Sequence, residues 1–547
     1  MASAPKKVTK VNPIELKPKS NRRGTGTGKF FNGLTERDIN FIKKTYFDKS
    51  KKWNERMAIL TEYTRVGERV VRNWLAKLKI SGEGIEPEIY TKAKSRKADH
   101  SKKIKIICSA QNNTPIHKQL WKEILAYAKF HNADIHVILT RYKNPNPFNK
   151  EDSDGEYWCP EVLPYADANR HQIHKNLMIM SDIKIQPTAT IPLTGFESIS
   201  GNSSAIFGHP KVQMDTLPAL DGSVTKFLMT TGSVTMPNYS DSKAGKKGEF
   251  HHTFGFVIVE IKDKDTVIPR QVTACKDGSF SDMFYNVKGG KVTKITEIDA
   301  FIMGDKHINQ LDLPLEVQQI KLMNIINPKR TLIHDIFNGT SVNHHNEKDP
   351  ILSYELQKSG KNLIRYELDE MYAWIKKMLK YNLVIVSSNH NDWLDRYVRG
   401  KDWKRDISNA VEYMELTKIS LSGLATKGLI AYLIEQKFGK KVKTLGRDEN
   451  YVVNSFILNC HGDIGANGSR GSIHNFRKLS TKMVVADSHT PRRLDGVVYA
   501  GTSSLLRCGY NIGASSWAFC DVILHKDKKA QQILYIGKNR DFTTFKY

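Results

Sequence analysis

The sequence repeatedly ends a short apolar run with a side chain that can bind a metal, and the first instance is DAFIMGDKHI at residues 299–308. The apolar residues predict a buried strand, on which side chains two positions apart point the same way. Asp305 and His307 would therefore lie together, with Lys306 directed to the opposite side. A carboxylate and an imidazole that converge are ligands for a divalent metal. Taken alone, the pattern more commonly marks a polar exit from a strand than a metal site.

Four later segments repeat this arrangement, each placing oxygen or nitrogen ligands just after an apolar run. These ligands are Asp335 in RTLIHDIFNG, Asn389 and His390 in LVIVSSNHNDW, His461 in VNSFILNCHGD, and Asp487 and His489 in KMVVADSHTP. In an α/β fold the carboxyl ends of the strands gather at one edge of a sheet, where ligand sites form. We therefore expect the five segments to converge on one site.

Length and composition exclude several other classes of protein. The 547 residues are too many for a single core and predict about three to four domains. No apolar run reaches the ~18 residues needed to span a bilayer, so no membrane association is expected. The amino terminus, MASAPKKVTKVNP, lacks the apolar core of a signal peptide, which predicts a cytoplasmic protein. The six cysteines include no C-x-x-C pair, which favours reduced thiols and argues against a zinc finger.

The positive charge of the chain is concentrated near its amino terminus. The formal net charge is +27, and residues 1–105 carry 27 Lys and Arg against 11 Asp and Glu. Such a surplus predicts a polyanionic partner, and we favour DNA over lipid because no amphipathic membrane helix stands out. A tail that only increases solubility is the alternative.

Residues 1–33 are rich in Lys, Pro and Gly and are expected to form a flexible basic arm. Residues 34–91 follow, and their LTERD segment predicts a helix start at which Thr35 and Asp38 form a capping box.

The segment RMAILTEYTRVGERVVRNWLAKLKI has the apolar spacing of two helices joined by a tight turn, which resembles a DNA-binding helix-turn-helix. The residues expected to face DNA are Arg69, Arg72, Asn73 and Lys77. Arg65 stands where the turn often has Gly, and Gly67 stands where a Ser or Thr cap is usual. A purely structural pair of helices is the alternative.

A charged linker at residues 92–103 precedes an expected α/β domain at 104–290. Its first segments, IKIICSA, HKQLWKEILAYAKFH and DIHVILT, predict a strand, a helix and a second strand. The segment SAQNNT between them is neither a dinucleotide-binding nor a Walker phosphate loop, so the sequence assigns this domain no role. The remaining segment, 291–547, contains all the candidate ligands.

The order and spacing of these ligands resemble the signature of calcineurin-like metallophosphoesterases, which reads D-x-H, G-D-x-x-D, G-N-H-D, a lone His and G-H-x-H. The corresponding segments here are DKH at 305–307, HDIFN at 334–338, SNHN at 388–391, His461 and ADSH at 486–489. The resemblance covers about 291–547 and implies an αββα sandwich for this domain. The expected fold class is therefore α/β, with this sandwich preceded by the middle α/β domain and the helix-turn-helix.

The resemblance also implies two divalent metal ions, with Mn²⁺ favoured and Mg²⁺ as the alternative. The first would be bound by Asp305, His307, Asp335 and His489, and the second by Asp335, Asn389, His461 and Asp487. His390 would face the scissile phosphate as the catalytic side chain.

Four positions depart from the family pattern. His334 and Ser388 replace glycines, which is expected to alter loop backbones only. Asn338 replaces a carboxylate that orients a ligand, which would weaken that orientation. Asp487 replaces a His ligand, and its carboxylate favours manganese or magnesium over zinc.

Together, the basic segments and the resemblance imply a metal-dependent DNase that cleaves phosphodiester bonds by a two-metal mechanism. The catalytic domain looks like that of SbcD-type repair exonucleases. The overall layout is similar to the pre-early, first-step-transfer DNases of T5-type bacteriophages, which implies degradation of host DNA in the host cytoplasm. A homo-oligomer is expected.

Two other functions remain open. The first is a phosphomonoesterase or small-nucleotide phosphodiesterase, and the second is a non-catalytic DNA-binding regulator with a degenerate phosphoesterase domain.

Overall fold

The structure is a computed structural model that describes residues 33–46, 48, 50–51, 53–77, 101–142, 158–220, 225–343, 346, 349–479, 481–509 and 511–546. The predicted basic arm, apart from Gly33, and the linker residues 92–100 lie outside these ranges. The chain divides into two compact units, Met1–Ile89 and Tyr90–Tyr547. Within the described ranges, no helix is both long enough and apolar enough to cross a membrane.

The α-helices in these ranges are α1 (Glu36–Tyr46), α2 (Trp53–Thr64), α3 (Glu68–Lys77), α4 (Lys118–His131), α5 (Lys243–His251), α6 (Leu313–Ile326), α7 (Pro350–Ser359), α8 (Ile364–Met378), α9 (Asn389–Gly400), α10 (Ala410–Leu421), α11 (Leu429–Phe438) and α12 (Ile473–Phe476).

The strands are β1 (Ile104–Gln111), β2 (Asp134–Thr140), β3 (Ala166–Asp167), β4 (Arg170–His174), β5 (Leu177–Met180), β6 (Ser204–Phe207), β7 (Met214–Leu217), β8 (Lys226–Thr230), β9 (Gly255–Ile261), β10 (Val267–Thr273), β11 (Phe280–Asp282), β12 (Tyr285–Lys288), β13 (Lys291–Lys294), β14 (Ala300–Ile302), β15 (Thr331–Ile333), β16 (Leu383–Val386), β17 (Lys443–Leu445), β18 (Val452–Val453), β19 (Phe456–Ile457), β20 (Lys482–Val485), β21 (Arg492–Leu494), β22 (Val497–Tyr499), β23 (Cys520–Leu524) and β24 (Ala530–Leu534).

The first unit contains α1, α2 and α3. The predicted capping box is confirmed at the start of α1, where the Thr35 amide donates to Asp38 Oδ2 (2.9 Å) and the Asp38 amide donates to Thr35 Oγ1 (3.3 Å). The predicted tight turn is also present between α2 and α3, and Arg65 adopts a left-handed conformation there (φ 54°). The turn therefore has the geometry for which glycine is usual, although an arginine occupies it.

The predicted strand–helix–strand motif is present at the start of the described part of the second compact unit. β1 and β2 pair in parallel and α4 connects them, as the apolar patterns indicate. These strands belong to a five-stranded sheet with the order β10-β9-β1-β2-β3. The first part of the segment 104–290 is therefore α/β, as predicted.

The candidate ligands follow strands of two larger sheets. A six-stranded sheet has the order β17-β16-β15-β14-β23-β24, and its β14–β15, β15–β16 and β16–β17 pairs are parallel. A ten-stranded sheet has the order β18-β19-β20-β22-β21-β7-β8-β6-β5-β4. In each sheet, parallel neighbours end at the same edge, which brings the segments after them together.

The expected division at residue 290 does not coincide with a boundary between compact units. In the ten-stranded sheet, β7 pairs antiparallel with β21, and Asp215 is opposite Arg492. Strands from 104–290 and from 291–547 therefore belong to one sheet. The composition of the sequence gave no sign of this, because the pairing joins segments far apart in the chain.

Apolar side chains pack the six-stranded sheet against the ten-stranded sheet. These include Ala300, Ile302, Leu332, Val384 and Val386 from the first sheet and Phe456, Leu458, Val484, Val498 and Ala500 from the second. Helices α6 and α8 pack against the other side of the six-stranded sheet, and α12 packs against the outer face of β20 and β22. This part of the chain is thus a layered α/β structure with two sheets in its centre.

Two glycines allow the loop that carries Asp305 to approach the chain after β22. A Cβ atom on Gly304 would lie 2.7 Å from the backbone of Gly501, and one on Gly501 would lie 2.0 Å from the carbonyl oxygen of Ala518. The Asp305 amide donates to the Gly501 carbonyl at 3.2 Å. These contacts fix the backbone of Asp305 and leave no room for a larger residue.

We expect Gly501→Ala to lower the free energy of unfolding by about 1–3 kcal/mol, because the added methyl group would overpack backbone that cannot retreat. Urea denaturation followed by circular dichroism measures the change. Gly400→Ala is the matched control, because a Cβ atom there meets nothing within 4 Å and the residue ends a helix. Its stability should stay the same or rise by up to ~1 kcal/mol, and equal loss in both variants would contradict the close approach.

Candidate metal centre

The structure brings together all seven predicted metal ligands and the predicted catalytic histidine, but the local geometry differs from the prediction. β14 ends at Ile302 and β15 at Ile333, so Asp305, His307 and Asp335 lie in loops after the strands. Alternation along a strand therefore does not set their directions. Lys306 nevertheless points away from its neighbours, as expected, because its Nζ donates to Gln319 Oε1 at 3.0 Å.

The four ligands expected for the first metal lie within a few ångströms of one another. His489 Nε2 is 3.1 Å from Asp305 Oδ2 and 3.2 Å from His307 Nε2. His307 Nε2 is in turn 3.6 Å from Asp335 Oδ2. His307, Asp335 and His489 form a buried group that could hold a metal ion.

The ligands expected for the second metal surround His461. Its Nε2 atom is 3.0 Å from Asn389 Oδ1, 3.3 Å from Asp335 Oδ2 and 3.8 Å from Asp487 Oδ1. Asp305 is also close, since its Oδ1 lies 3.9 Å from His461 Nδ1. Asp305, Asp335 and His461 form a second buried group that could hold a metal ion. Asp305 was expected at the first metal only, but it lies close to members of both groups.

Several polar atoms in this cluster are buried without a hydrogen-bond partner among the described residues. They are both carboxylate oxygens of Asp305, Oδ1 of Asp335, and Nδ1 of His307 and of His489. Leaving a charged carboxylate buried and unpaired costs several kcal/mol, so buried charges are normally paired or bound to metals. The donor atoms therefore fit a bound cation, although they do not define its identity or number.

Backbone strain is concentrated at the same residues. His307, Asp335, Asp487 and His489 all have positive φ angles, between 40° and 65°. Side chains other than glycine rarely adopt this conformation, and such outliers are found preferentially at functional sites. The strain supports a role for these residues beyond folding.

The charges of the cluster shift the pKa values of its members. Burial lowers the pKa of His461, but Asp335, Asp305 and Asp487 raise it by more, to about 10. Burial raises the pKa of Asp487 to about 6, although His461 opposes this change. Burial and the neighbouring His390 hold the pKa of His307 well below its usual value. The cluster thus attracts positive charge and keeps one imidazole protonated when no metal is bound.

His390 lies beside the cluster, half-buried, and is held from two sides. Its Nδ1 atom is 2.7 Å from the carbonyl oxygen of Asn338, and a carbonyl can only accept, so Nδ1 carries a proton. The Trp393 ring packs against the imidazole with a centroid distance of 3.9 Å. The His307 ring lies on its other flank at 4.5 Å. These contacts keep Nε2 available for another partner.

Three of the four positions that depart from the compared signature have visible structural roles, and one expectation is corrected. His334 does more than alter the loop backbone, because its side chain is fully buried and its Nδ1 lies 3.3 Å from His461 Nδ1. Ser388 caps α9, where its side chain accepts from the Asn391 amide. Asn338 orients His390 through its backbone carbonyl, which does not require a carboxylate side chain.

Sequence reasoning missed three residues at the centre: His334, Trp393 and Trp517. The Trp517 ring lies 4.0 Å from the His489 ring. Trp393 was within reach of sequence reasoning, because it is four residues after Asn389 on the same helix. No signal in the sequence pointed to Trp517, which a long loop brings to the site.

Of the four residues predicted to contact DNA, only Arg72 has a described side chain. It is exposed, as expected, and makes an ion pair with Glu68 one turn earlier on α3. The side chains of Arg69, Asn73 and Lys77 lie outside the described part of the chain. DNA binding by this helix therefore remains a prediction.

The fold and this site together define an α/β protein with buried His and Asp side chains that could hold a metal ion. Comparison with known proteins finds no matching family model and no matching solved structure. The chain is similar to Protein A1 of Escherichia phage T5, with 29% identity over 463 residues that cover 80% of this chain and 82% of that protein. This similarity indicates a relationship to proteins of T5-type bacteriophages.

We expect Asp335→Ala to abolish Mn²⁺ binding, because the Asp335 carboxylate is common to both groups of potential ligands. Metal content after equilibrium dialysis, measured by mass spectrometry, tests this. Asp369→Ala is the control, because Asp369 is an exposed aspartate on α8, and it should retain the wild-type metal content. Equal metal content in both variants would contradict a role for Asp335 in metal binding.

We also expect the Mn²⁺ association constant to rise with pH. His461 is protonated at neutral pH in the metal-free protein, since its pKa is about 10, and binding through its imidazole must release that proton. The constant should increase about tenfold per pH unit between pH 7 and 8.5. The increase should be steeper below pH 6, where Asp487 also carries a proton. Calorimetric titrations at several pH values measure the slope, and a constant affinity would contradict proton release.

Proposed function

We propose that the chain is a metal-dependent DNase that hydrolyses DNA phosphodiester bonds with two divalent cations. The observation that supports this most strongly is the position of Asp335 Oδ2, which lies 3.6 Å from His307 Nε2 and 3.3 Å from His461 Nε2. One carboxylate shared by two groups of ligands is the arrangement that a two-metal site requires. The central pair of sheets with helices outside it supports the metallophosphoesterase fold.

The side chains favour manganese, with magnesium as the alternative. The proposed ligands combine three carboxylates, one amide and three imidazoles. Carboxylate and amide oxygens suit hard cations such as Mg²⁺ and Mn²⁺, and imidazole nitrogens move the preference toward Mn²⁺. A zinc site would be expected to use more nitrogen or sulfur ligands.

The bound cations would supply a nucleophile at neutral pH and would neutralise charge on the phosphoryl oxygens during in-line displacement. The chain itself contributes the geometry of the ligands, which the loops after β14, β15 and β20 hold in strained conformations. His390 contributes a second function. Because its Nδ1 proton is committed to the Asn338 carbonyl, the reacting atom would be Nε2. In the doubly protonated imidazolium form, Nε2–H would donate a hydrogen bond to the phosphate or transfer its proton to the leaving oxygen.

Three observations favour DNA as the substrate. The chain carries a formal net charge of +27, which attracts a polyanion. The helix–turn–helix arrangement of α2 and α3 could present the exposed face of α3 to a DNA groove. The similarity to Protein A1 of phage T5 is compatible with the role implied by the resemblance, the degradation of host DNA during infection.

We expect His390→Ala to lower the turnover of DNA cleavage by ~10²–10⁴-fold while the protein still binds metal. The expected loss is that of a group that moves a proton or stabilises charge and does not hold the cations. Initial rates and Mn²⁺ content should be measured in parallel. His474→Ala serves as the control, because His474 is exposed on α12, and turnover unchanged by His390→Ala would remove that residue from the mechanism.

A comparison of substrates tests the proposed function itself. The purified protein with Mn²⁺ is incubated with linear duplex DNA, with circular DNA and with 4-nitrophenyl phosphate. Cleavage of DNA that depends on Asp335 supports the proposal. Hydrolysis of the aryl phosphate alone would instead indicate a phosphomonoesterase. A protein that takes up no Mn²⁺ from the assay and binds DNA without cleaving it would indicate a regulator.

A further inference from the structure

A large cleft opens beside the candidate metal centre. Its volume is about 760 Å³, and Trp517 forms part of its wall. The Trp517 ring also lies 4.0 Å from the ring of His489, one of the candidate ligands. The tryptophan therefore connects the cleft to the metal centre, and a molecule in the cleft would lie next to a group bound there.

The chemistry of the cleft wall combines aromatic, aliphatic and cationic side chains. Trp517 and Phe519 supply aromatic rings, and Leu217 and Leu220 supply aliphatic surface. Leu220 is 69% exposed, so its side chain is accessible to a molecule in the cleft. Lys538 is exposed on the rim and makes no ion pair with the residues that the structure describes.

The wall that carries Trp517 is built by contacts between distant segments. Ala219 and Ser515 exchange two backbone hydrogen bonds of 2.9 Å, which join the end of β7 to the loop before β23. The guanidinium of Arg507 donates to the carbonyl oxygens of Asn511 and Gly513 in the same loop. These contacts brace the described part of the loop just before Trp517.

The opposite part of the wall is also fixed. The Arg540 guanidinium lies over the Phe519 ring at 4.5 Å and donates to Asp312 at 2.8 Å. This pairing uses one face of Phe519 and neutralises Arg540. The wall also includes the carboxylates of Asp263, Asp265 and Asp541. Asp265 pairs with Lys175 and Asp541 pairs with Lys262, while Lys538 adds positive charge at the edge of the cleft.

We propose that this cleft binds an unpaired nucleotide adjacent to the phosphodiester at the metal centre, with the nucleobase against Trp517. The assignment rests on the proposed function. Sites of ~300–1,000 Å³ hold small molecules, so the cleft has room for a nucleotide. Aromatic side chains stack on bases of any sequence, and a cation at the rim favours the phosphate backbone. Binding at the cleft should accordingly require an unpaired nucleotide, as in a single strand or at a frayed end.

The test measures binding to the full-length protein in EDTA, so that no cleavage interferes. The probe is a short fluorescent oligothymidylate, followed by anisotropy. Trp517→Ala should weaken binding about 5- to 150-fold, which corresponds to the ~1–3 kcal/mol of one stacked base. The control is Trp403→Ala, which removes a half-buried tryptophan that does not line the cleft.

A second variant is needed because Trp517 also contacts His489, so that Trp517→Ala could weaken binding by disturbing the metal centre. Leu220→Asp places a carboxylate in the cleft at an exposed position and should weaken binding through repulsion of the phosphates. Leu424→Asp is its control, since Leu424 is similarly exposed and lies outside the cleft wall. Wild-type affinity in both Trp517→Ala and Leu220→Asp would overturn the assignment.

Hydrolysis of bis(4-nitrophenyl) phosphate with Mn²⁺ separates the two proposals. This diester has no nucleobase and reports on the metal centre. If the wild-type protein hydrolyses it while both cleft variants bind the oligonucleotide normally, the cleft assignment fails and the proposed function stands. If the protein hydrolyses neither the diester nor DNA but binding depends on Trp517 and Leu220, the proposed function fails and the cleft assignment stands.

Discussion

The Asp335 carboxylate lies between two imidazoles that come from different parts of the fold. His307 follows β14 in the six-stranded sheet, whereas His461 follows β19 in the ten-stranded sheet. Oδ2 of Asp335 is within 3.6 Å of a ring nitrogen of each. The site therefore exists only where the two sheets meet, and its geometry depends on their packing.

The packing of the two sheets is in turn determined by small residues and apolar side chains. Side chains such as Ile302, Val386 and Val484 fill the space between the sheets. Gly304 and Gly501 let two backbones approach closely at the edge where the ligands lie. Because interiors are close-packed, a change of one methyl group in this layer would move the loops that carry the ligands. The geometry of the polar site thus depends on the packing of the apolar core between the two sheets.

The sequence indicated which side chains meet at the candidate site better than it indicated the fold around them. Asp305, His307 and Asp335 were identifiable because each follows a short apolar run, and this pattern is local. The pairing of β7 with β21 was not identifiable, since it joins residues more than 270 positions apart and depends on contacts that no local pattern records. The burial of His334 against His461 and the approach of Trp517 to His489 were missed for the same reason.

The charge balance of the centre links its structure to metal binding. Asp305 and Asp335 are buried, and the nearest buried cation on the same loop, Lys306, is directed away toward Gln319 and the Trp374 ring. Burial lowers the pKa of Lys306 to about 8, which shows how poorly its surroundings support a further charge. Compensation of the carboxylates can therefore come from a proton on a neighbouring imidazole, such as His461, or from a cation taken from solution. Because such a cation would bind only the folded arrangement, its binding would also stabilise the packing of the two sheets.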